Sequence, residues 1–140
     1  MNANPGGWNR AMGLSFVRVS ADEVVAEWQV QAQHLQPYGI VHGGVHSGVI
    51  ETLCSVGAAC HAGAAGSAVV GLENHTSFLH AVRSGKLRAR ASPLSRGRRT
   101  QIWEATIVDE GERKVATGRV RLLCLPADGE LAGQKIDVRG

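Results

Sequence analysis

Residues 45–61 repeat apolar side chains at helical spacing. Val45, Val49, Leu53 and Val56 fall at i, i+4, i+8 and i+11, and Ile50, Cys54 and Ala58 widen the stripe. A helix apolar over so much of its girth belongs inside a fold, so other elements must enclose it. The flanking sequence supplies them. Residues 14–20 and 24–30 alternate with period two about an Ala-Asp-Glu turn, and Val24, Ala26, Trp28 and Val30 share one face. Residues 69–80, 86–94, 100–109 and 114–125 are four further predicted strands, separated by turns at Ser84-Gly85, Ser95-Arg96-Gly97 and Asp109-Glu110-Gly111-Glu112. The order β-β-α-β-β-β-β, with one buried helix, predicts an α+β fold in which an antiparallel sheet wraps one face of a long central helix. Residues 1–13 read as an irregular or loosely helical lead-in. The polar, Gly-rich tail from Pro126 reads as frayed.

A chain of 140 residues, 44% of them hydrophobic, is one ordinary domain with a packed core. The expected unit is 1–140, its core at about 14–125. Net charge is +3, and the densest basic stretch is Arg96-Gly-Arg98-Arg99. Single-strand nucleic-acid binding calls for aromatic platforms beside such charges; aromatics are only 4% of the chain, so no nucleic-acid partner is expected. The apolar stretch 45–70 is broken by Glu51, His46, His61 and several glycines, so it does not read as a membrane span. Cys54, Cys60 and Cys124 form no C-x-x-C motif and are odd in number, which favours a reducing, cytoplasmic setting. The first eight residues lack the basic start and apolar run of a signal peptide.

Glu51 stands in the middle of the apolar helix. Ser47, Glu51 and Ser55 follow i, i+4, i+8 and share one narrow polar stripe. In an enclosed helix such a stripe faces a cavity or an interface, where a carboxylate can serve as base or nucleophile; pattern alone also fits a solvated Glu on a helix edge. His42-Gly43-Gly44 leads into the helix. Glycines allow close approach to the backbone, and the first helical N–H groups have no internal partner, so this end suits a polarised carbonyl. Glu51 lies seven residues beyond Gly44, roughly 10 Å along the axis. The two make better partners across two copies of the chain than within one.

The run from Gln36 to Ser55, QPYGIVHGGVHSGVIETLCS, resembles the signature of hotdog-fold acyl-CoA thioesterases of the phenylacetate-pathway and 4-hydroxybenzoyl-CoA type, in the branch with Glu on the central helix. GLENHTSFL at 71–79, SGK at 84–86 and GRRTQIWE at 97–104 are similar to further stretches of that family. The resemblance covers roughly residues 14–125. It implies a hotdog fold and hydrolysis of an aromatic or medium-sized acyl-CoA, with no cofactor and no metal. It implies that the Gly44 N–H polarises the thioester carbonyl, with Gln36 and His42 close by. Glu51 from a partner subunit would attack the carbonyl or activate water, and Ser55 would orient that water or the acyl intermediate. Arg98, Arg99 and Thr100 would hold the phosphates of coenzyme A, and His75 and Ser77 would join the substrate pocket. A homodimer at least, and a homotetramer by analogy, follows from the shared site. Where relatives carry Arg-Pro after the third strand, this chain has His80-Ala81, and His46 stands where a small or apolar residue is common.

Two other readings use the same residues: an acyl-CoA binder without catalysis, and an enoyl-CoA hydratase or dehydratase with His42 and Glu51 as its pair. The Gly-Gly helix entry favours the hydrolase. His34, His61 and His75 lack metal-ligand spacing with one another or with cysteine.

Overall fold

The computed structural model describes residues 4–136; the outermost residues of the expected 1–140 unit, 1–3 and 137–140, lie outside them. The elements are α1 (Gly7–Met12), β1 (Ser15–Val19), β2 (Val24–Gln29), α2 (Gly43–Gly63), β3 (Ala68–Phe78), β4 (Lys86–Arg96), β5 (Thr100–Val108) and β6 (Lys114–Leu125), then the short β7 (Glu130–Leu131) and β8 (Gln134–Lys135). Six strands form one antiparallel sheet in the order β1-β2-β4-β5-β6-β3. The sheet wraps α2, which is the expected hotdog architecture. No helix among the described residues is long and apolar enough to cross a membrane.

Alternation explains the layer between helix and sheet. Val24, Ala26 and Trp28 of β2, Leu87, Ala89 and Ala91 of β4, Trp103, Ala105 and Ile107 of β5, and Val120 and Leu122 of β6 all point at α2 and are buried. From the helix, Val45, Val49, Ile50, Leu53, Cys54 and Ala58 meet them. Burial among these side chains, with the carboxylates of Glu51 and Glu104 adding to it, pushes the Cys54 thiol far up, so it stays a neutral core group. Gly57 lies directly against the indole of Trp103, where any side chain would collide with the ring. The polar Gln101 is tolerated in this layer because it is satisfied: its Nε2 donates to the Ala58 carbonyl at 3.2 Å and its Oε1 accepts from Trp103 Nε1 at 2.9 Å.

At the two ends, the lead-in is helical within its expected range and the tail departs from expectation. The lead-in contains a defined helical turn, α1, which packs on α2: Trp8 lies over Gly48, and Thr52 Oγ1 donates to Asn9 Oδ1 at 3.1 Å. Within the tail, β7 and β8 form a small hairpin instead of fraying. Its two-residue turn, Ala132-Gly133, has both φ angles positive, at 50° and 79°, which matches the twist of paired strands.

Candidate active site

The chain into α2 is fixed by a buried histidine. His34 Nδ1 accepts from the Gln31 N–H at 2.9 Å, and its Nε2 pairs with the Met12 carbonyl at 2.8 Å. The His34 carbonyl then accepts from the His42 N–H at 2.8 Å, and the Val41 N–H bonds to Val82 O at 2.8 Å. Between them Gly39 turns the chain at φ 77°. The loop therefore delivers His42 to the head of the helix as its N-cap. Its Nδ1 accepts the Gly44 N–H at 2.7 Å. The Gly43 N–H has no hydrogen-bond partner among the described residues. The open donor at this helix end is thus Gly43, while the expected donor, Gly44, is engaged by His42.

Glu51 lies in a cleft of about 480 Å³ between α2 and β3. Gly44, Ser47, Gly48 and Glu51 line it from the helix, Asn74, Thr76 and Phe78 from the strand, and Trp8 from α1. Gly44 and Glu51 therefore share a cleft within one chain, although their axial separation stays near 10 Å. The carboxylate is held on two sides. Asn74 Nδ2 donates to Glu51 Oε2 at 3.1 Å and to the Ser47 carbonyl at 2.9 Å, while Thr76 Oγ1 donates to Asn74 Oδ1 at 2.7 Å. Glu51 Oε1 rests against Gly71, where a Cβ would strike it.

A second cleft, about 250 Å³, opens beside the first. Gln36, Ile40, Gly43, His46, Leu79 and His80 are among its walls. Phe78 belongs to both clefts; its ring lies against Gly43 and is 58% exposed. Gln36 Oε1 accepts from the Tyr38 N–H. His46 is buried, and desolvation lowers its pKa to about 4, so the imidazole is neutral.

A third cleft, about 280 Å³, lies at the other end of α2, where Arg98 faces His61, Ser67 and Arg96. Arg98 and Arg99 are exposed in the β4–β5 turn, and Thr100 opens β5. Among the described residues neither arginine forms an ion pair. The 21 residues of α2 put roughly 30 Å between its two ends.

The family model for the thioesterase superfamily matches residues 38–116, which brackets the helix entry, Glu51 and the Arg98 turn. The chain belongs to the thioesterase superfamily. It is a thioester hydrolase of hotdog architecture. It is 41% identical over 118 residues to Rv1847, a Mycobacterium tuberculosis protein named as an esterase, across 83% of this chain and 84% of that one. It is 37% identical over 109 residues to the proofreading thioesterase EntH of Klebsiella pneumoniae, across 78% and 79% of the two chains. The solved structure of the mycobacterial protein superposes with a TM-score of 0.85 at 39% identity, covering 87% of this chain and 98% of that one. The structure of AziG from S. sahachiroi superposes with a TM-score of 0.84 at 40% identity, with the same coverage.

Within this thioesterase the site expectations divide. Glu51, Gly44 and Ser47 come together in one cleft; Gln36 and Gly43 share the next, and His42 caps the helix between them. Ser55, one turn beyond Glu51, is half-buried and does not line the cleft. His75 and Ser77 lie apart from these clefts. They face the far side of the sheet, in a depression with Glu104, Thr117 and Arg119. The reason is a bulge: Gly71 pairs with Leu122 but Glu73 pairs with Arg121, so Leu72 is an extra residue and the alternation inverts. Asn74, Thr76 and Phe78 take the helix-facing positions instead. Asn74, Thr76, Gly71 and Trp8 were not legible as site residues, because no local motif announces a bulge or a lead-in helix that folds back on α2.

Proposed function

We propose that this thioesterase hydrolyses acyl-CoA, with an aromatic or medium-sized acyl group, in a twofold dimer. Each site takes Glu51 from one chain and the head of α2 from the other. The observation that carries the reading is the pair formed by the open Gly43 N–H and the held Glu51 carboxylate. They are eight residues apart on one helix, roughly 12 Å, which is too far to serve one carbonyl carbon. A second copy related by a twofold axis brings each to the other's partner. The edge strand β3 supports such pairing. It is 11 residues long, has no strand on its outer side among the described residues and is largely exposed, with Leu72, Phe78 and the following Leu79 exposed as well.

The chemistry follows from the groups. The thioester carbonyl accepts from the Gly43 N–H at the positive end of α2. The Gly44 N–H stays on His42, whose ring is thereby oriented beside the reacting centre. The Glu51 carboxylate adds to the carbonyl carbon or takes a proton from an attacking water, and either route puts negative charge on the carbonyl oxygen. Collapse of that adduct expels the thiolate of coenzyme A, which takes up the proton held by Glu51 or one from solvent. Where Glu51 itself has added, water then hydrolyses the mixed anhydride, giving the free acid and restoring the carboxylate. Gln36 lies beside the thioester and Ser55 is one turn beyond Glu51, while the unpaired Arg98 and Arg99, with Thr100, meet the phosphates. The likeness to the phenylacetate-pathway and 4-hydroxybenzoyl-CoA type supports the acyl class, and a dimer of dimers is part of the same reading. Three free cysteines suit a reducing cytoplasm.

Thiol release from an acyl-CoA panel tests this. Glu51→Gln and Glu51→Ala are expected to lower kcat on the best substrate by roughly 10³-fold with thermal unfolding little changed. Near-normal turnover of Glu51→Ala would overturn the assignment of the carboxylate.

A further inference from the structure

Under the acyl-CoA reading, on which the role assigned here to His46 rests, two buried side-chain nitrogens have no hydrogen-bond partner among the described residues, Trp28 Nε1 and His46 Nδ1, and His46 is the one that borders the second cleft. His46 is 3% exposed, on the first turn of α2, amid Val45, Val49 and Ile50. Its Nδ1 is sealed from solvent and has no hydrogen-bond partner among the described residues. A neutral imidazole still carries a donor and an acceptor, and burying them unpaired is costly. An apolar side chain at this position would avoid that cost, so the missing partner calls for an explanation. The nearest free space is the second cleft, which the ring borders together with Gln36, Gly43, Phe78 and His80. That cleft includes Gly43, the open donor, so an acyl group whose carbonyl sits on Gly43 has this space in front of it.

We propose that the second cleft is the acyl pocket and that His46 is its specificity residue, with Nε2, the ring nitrogen that is not sealed, hydrogen-bonding an uncharged oxygen, hydroxyl or carbonyl, carried on the acyl group beyond the thioester. The chemistry of the walls sets the class. Among the described residues no Lys, Arg, Asp or Glu lines this cleft, so they offer nothing to neutralise a charged acyl terminus. Ile40, Val41, Leu79 and Ala81 supply apolar surface for the rest of the group. The ring lies 6.3 Å from that of Phe78, tilted by 37°, so Phe78 closes the side of the pocket towards Glu51 of the same chain. A pocket built around a buried hydrogen-bonding group discriminates strongly against an analogue that lacks the matching oxygen, because the protein group is then left unpaired.

The test is a matched panel: hexanoyl-CoA against its 3-, 4-, 5- and 6-hydroxy forms, and benzoyl-CoA against its three ring-hydroxylated forms. It is run on the wild type, His46→Phe, His46→Leu and His46→Gln, with thermal unfolding of each variant alongside. The readout is the ratio of kcat/KM, hydroxylated over parent, within each protein. In the wild type at least one ratio is expected to exceed about 10. It should collapse towards one in His46→Phe and His46→Leu and be partly kept in His46→Gln, which retains a donor and an acceptor. Phe and Leu should also raise the unfolding temperature, since they remove an unpaired buried group. Wild-type ratios all near one, or a high ratio that survives His46→Phe, would overturn the assignment and leave His46 a structural or water-bound group. If His46→Phe and His46→Leu do not fold, the Gln variant decides: a ratio identical to wild type on the preferred member, with the parent equally affected, counts against the proposal. Thiol release that ignores position 46 sinks this proposal alone; no thiol release from any member sinks the acyl-CoA reading and this proposal together.

Discussion

The Glu51 carboxylate is held by a side chain on one side and by the lack of one on the other. Asn74 Nδ2 grips Oε2, with its own orientation set by the Thr76 hydroxyl, and Gly71 leaves the space that Oε1 fills. Asn74→Ala is therefore expected to lower kcat about 10-fold by freeing the carboxylate, and Asn74→Asp to lower it further by setting a second carboxylate beside the first. Gly71→Ala should act from the opposite side, since its Cβ must displace the carboxylate. Because only a flexible side chain moves, its unfolding midpoint should stay near wild type. Steady-state kinetics with a denaturation curve for each variant checks all three. His46 also has a signature in stability. Its folded pKa of about 4 lies below the ordinary 6.5, so between those values the unfolded chain binds a proton that the folded one refuses. Above pH 6.5 the group contributes nothing. As pH falls from 6.5 to 4 it costs stability, up to about 3 kcal/mol. Denaturant unfolding across that range should show a slope that is flatter in His46→Leu. At this scale Glu51 and His42 stood out in the sequence because a carboxylate in an apolar helix and a His-Gly-Gly entry break local rules, while Gln36 came from the family resemblance alone. His75 and Ser77 lie on the face of β3 away from α2 because of the bulge at Leu72, which no local motif in the sequence announces.

Among the elements, α2 and the strands that enclose it were set by periodicity alone. The helix begins at Gly43, two residues earlier than its apolar repeat, because the His42 ring caps it. His is not among the usual capping residues, and two glycines propagate a helix poorly, so that extension had no sequence signal. Hairpin strands β1 and β2 and the later strands fall where alternation and turn residues set them. The tightest contact between helix and sheet is Gly57 on Trp103. Gly57→Ala would gain up to about 1 kcal/mol in helix propensity, but its Cβ enters a fully buried ring, and overpacking of that kind costs about 1–3 kcal/mol. A net loss of stability in urea unfolding is expected. Gly63→Ala meets open space at the end of the same helix, so it should leave stability unchanged or raise it. Equal effects of the two substitutions would contradict the packing described for this contact.

As a whole, the molecule puts its open donor and its carboxylate on one rigid helix, and its free arginines some 30 Å from that donor. The long edge of β3 is where a second copy can complete the sheet, and sedimentation is expected to find a dimer or larger species carrying the activity. Sequence spacing already argued for a shared site. The structure engages the Gly44 N–H with His42 and leaves that of Gly43 without a partner among the described residues, and it also shows Gly44 and Glu51 lining one cleft in a single chain, which makes the choice between one chain and two an experimental one. Mixed-dimer complementation decides it. Gly43→Pro removes the N–H at a position where helices tolerate proline, following a His42 whose ψ of 133° suits it, and its Cβ also pushes aside the exposed Phe78 ring. That protein and Glu51→Ala should each be nearly inactive alone. After unfolding and refolding together in equal amounts, about a quarter of wild-type activity should return, because half the dimers are mixed and each mixed dimer holds one intact site. Recovery no greater than the sum of the two separate variants would contradict a site shared between chains.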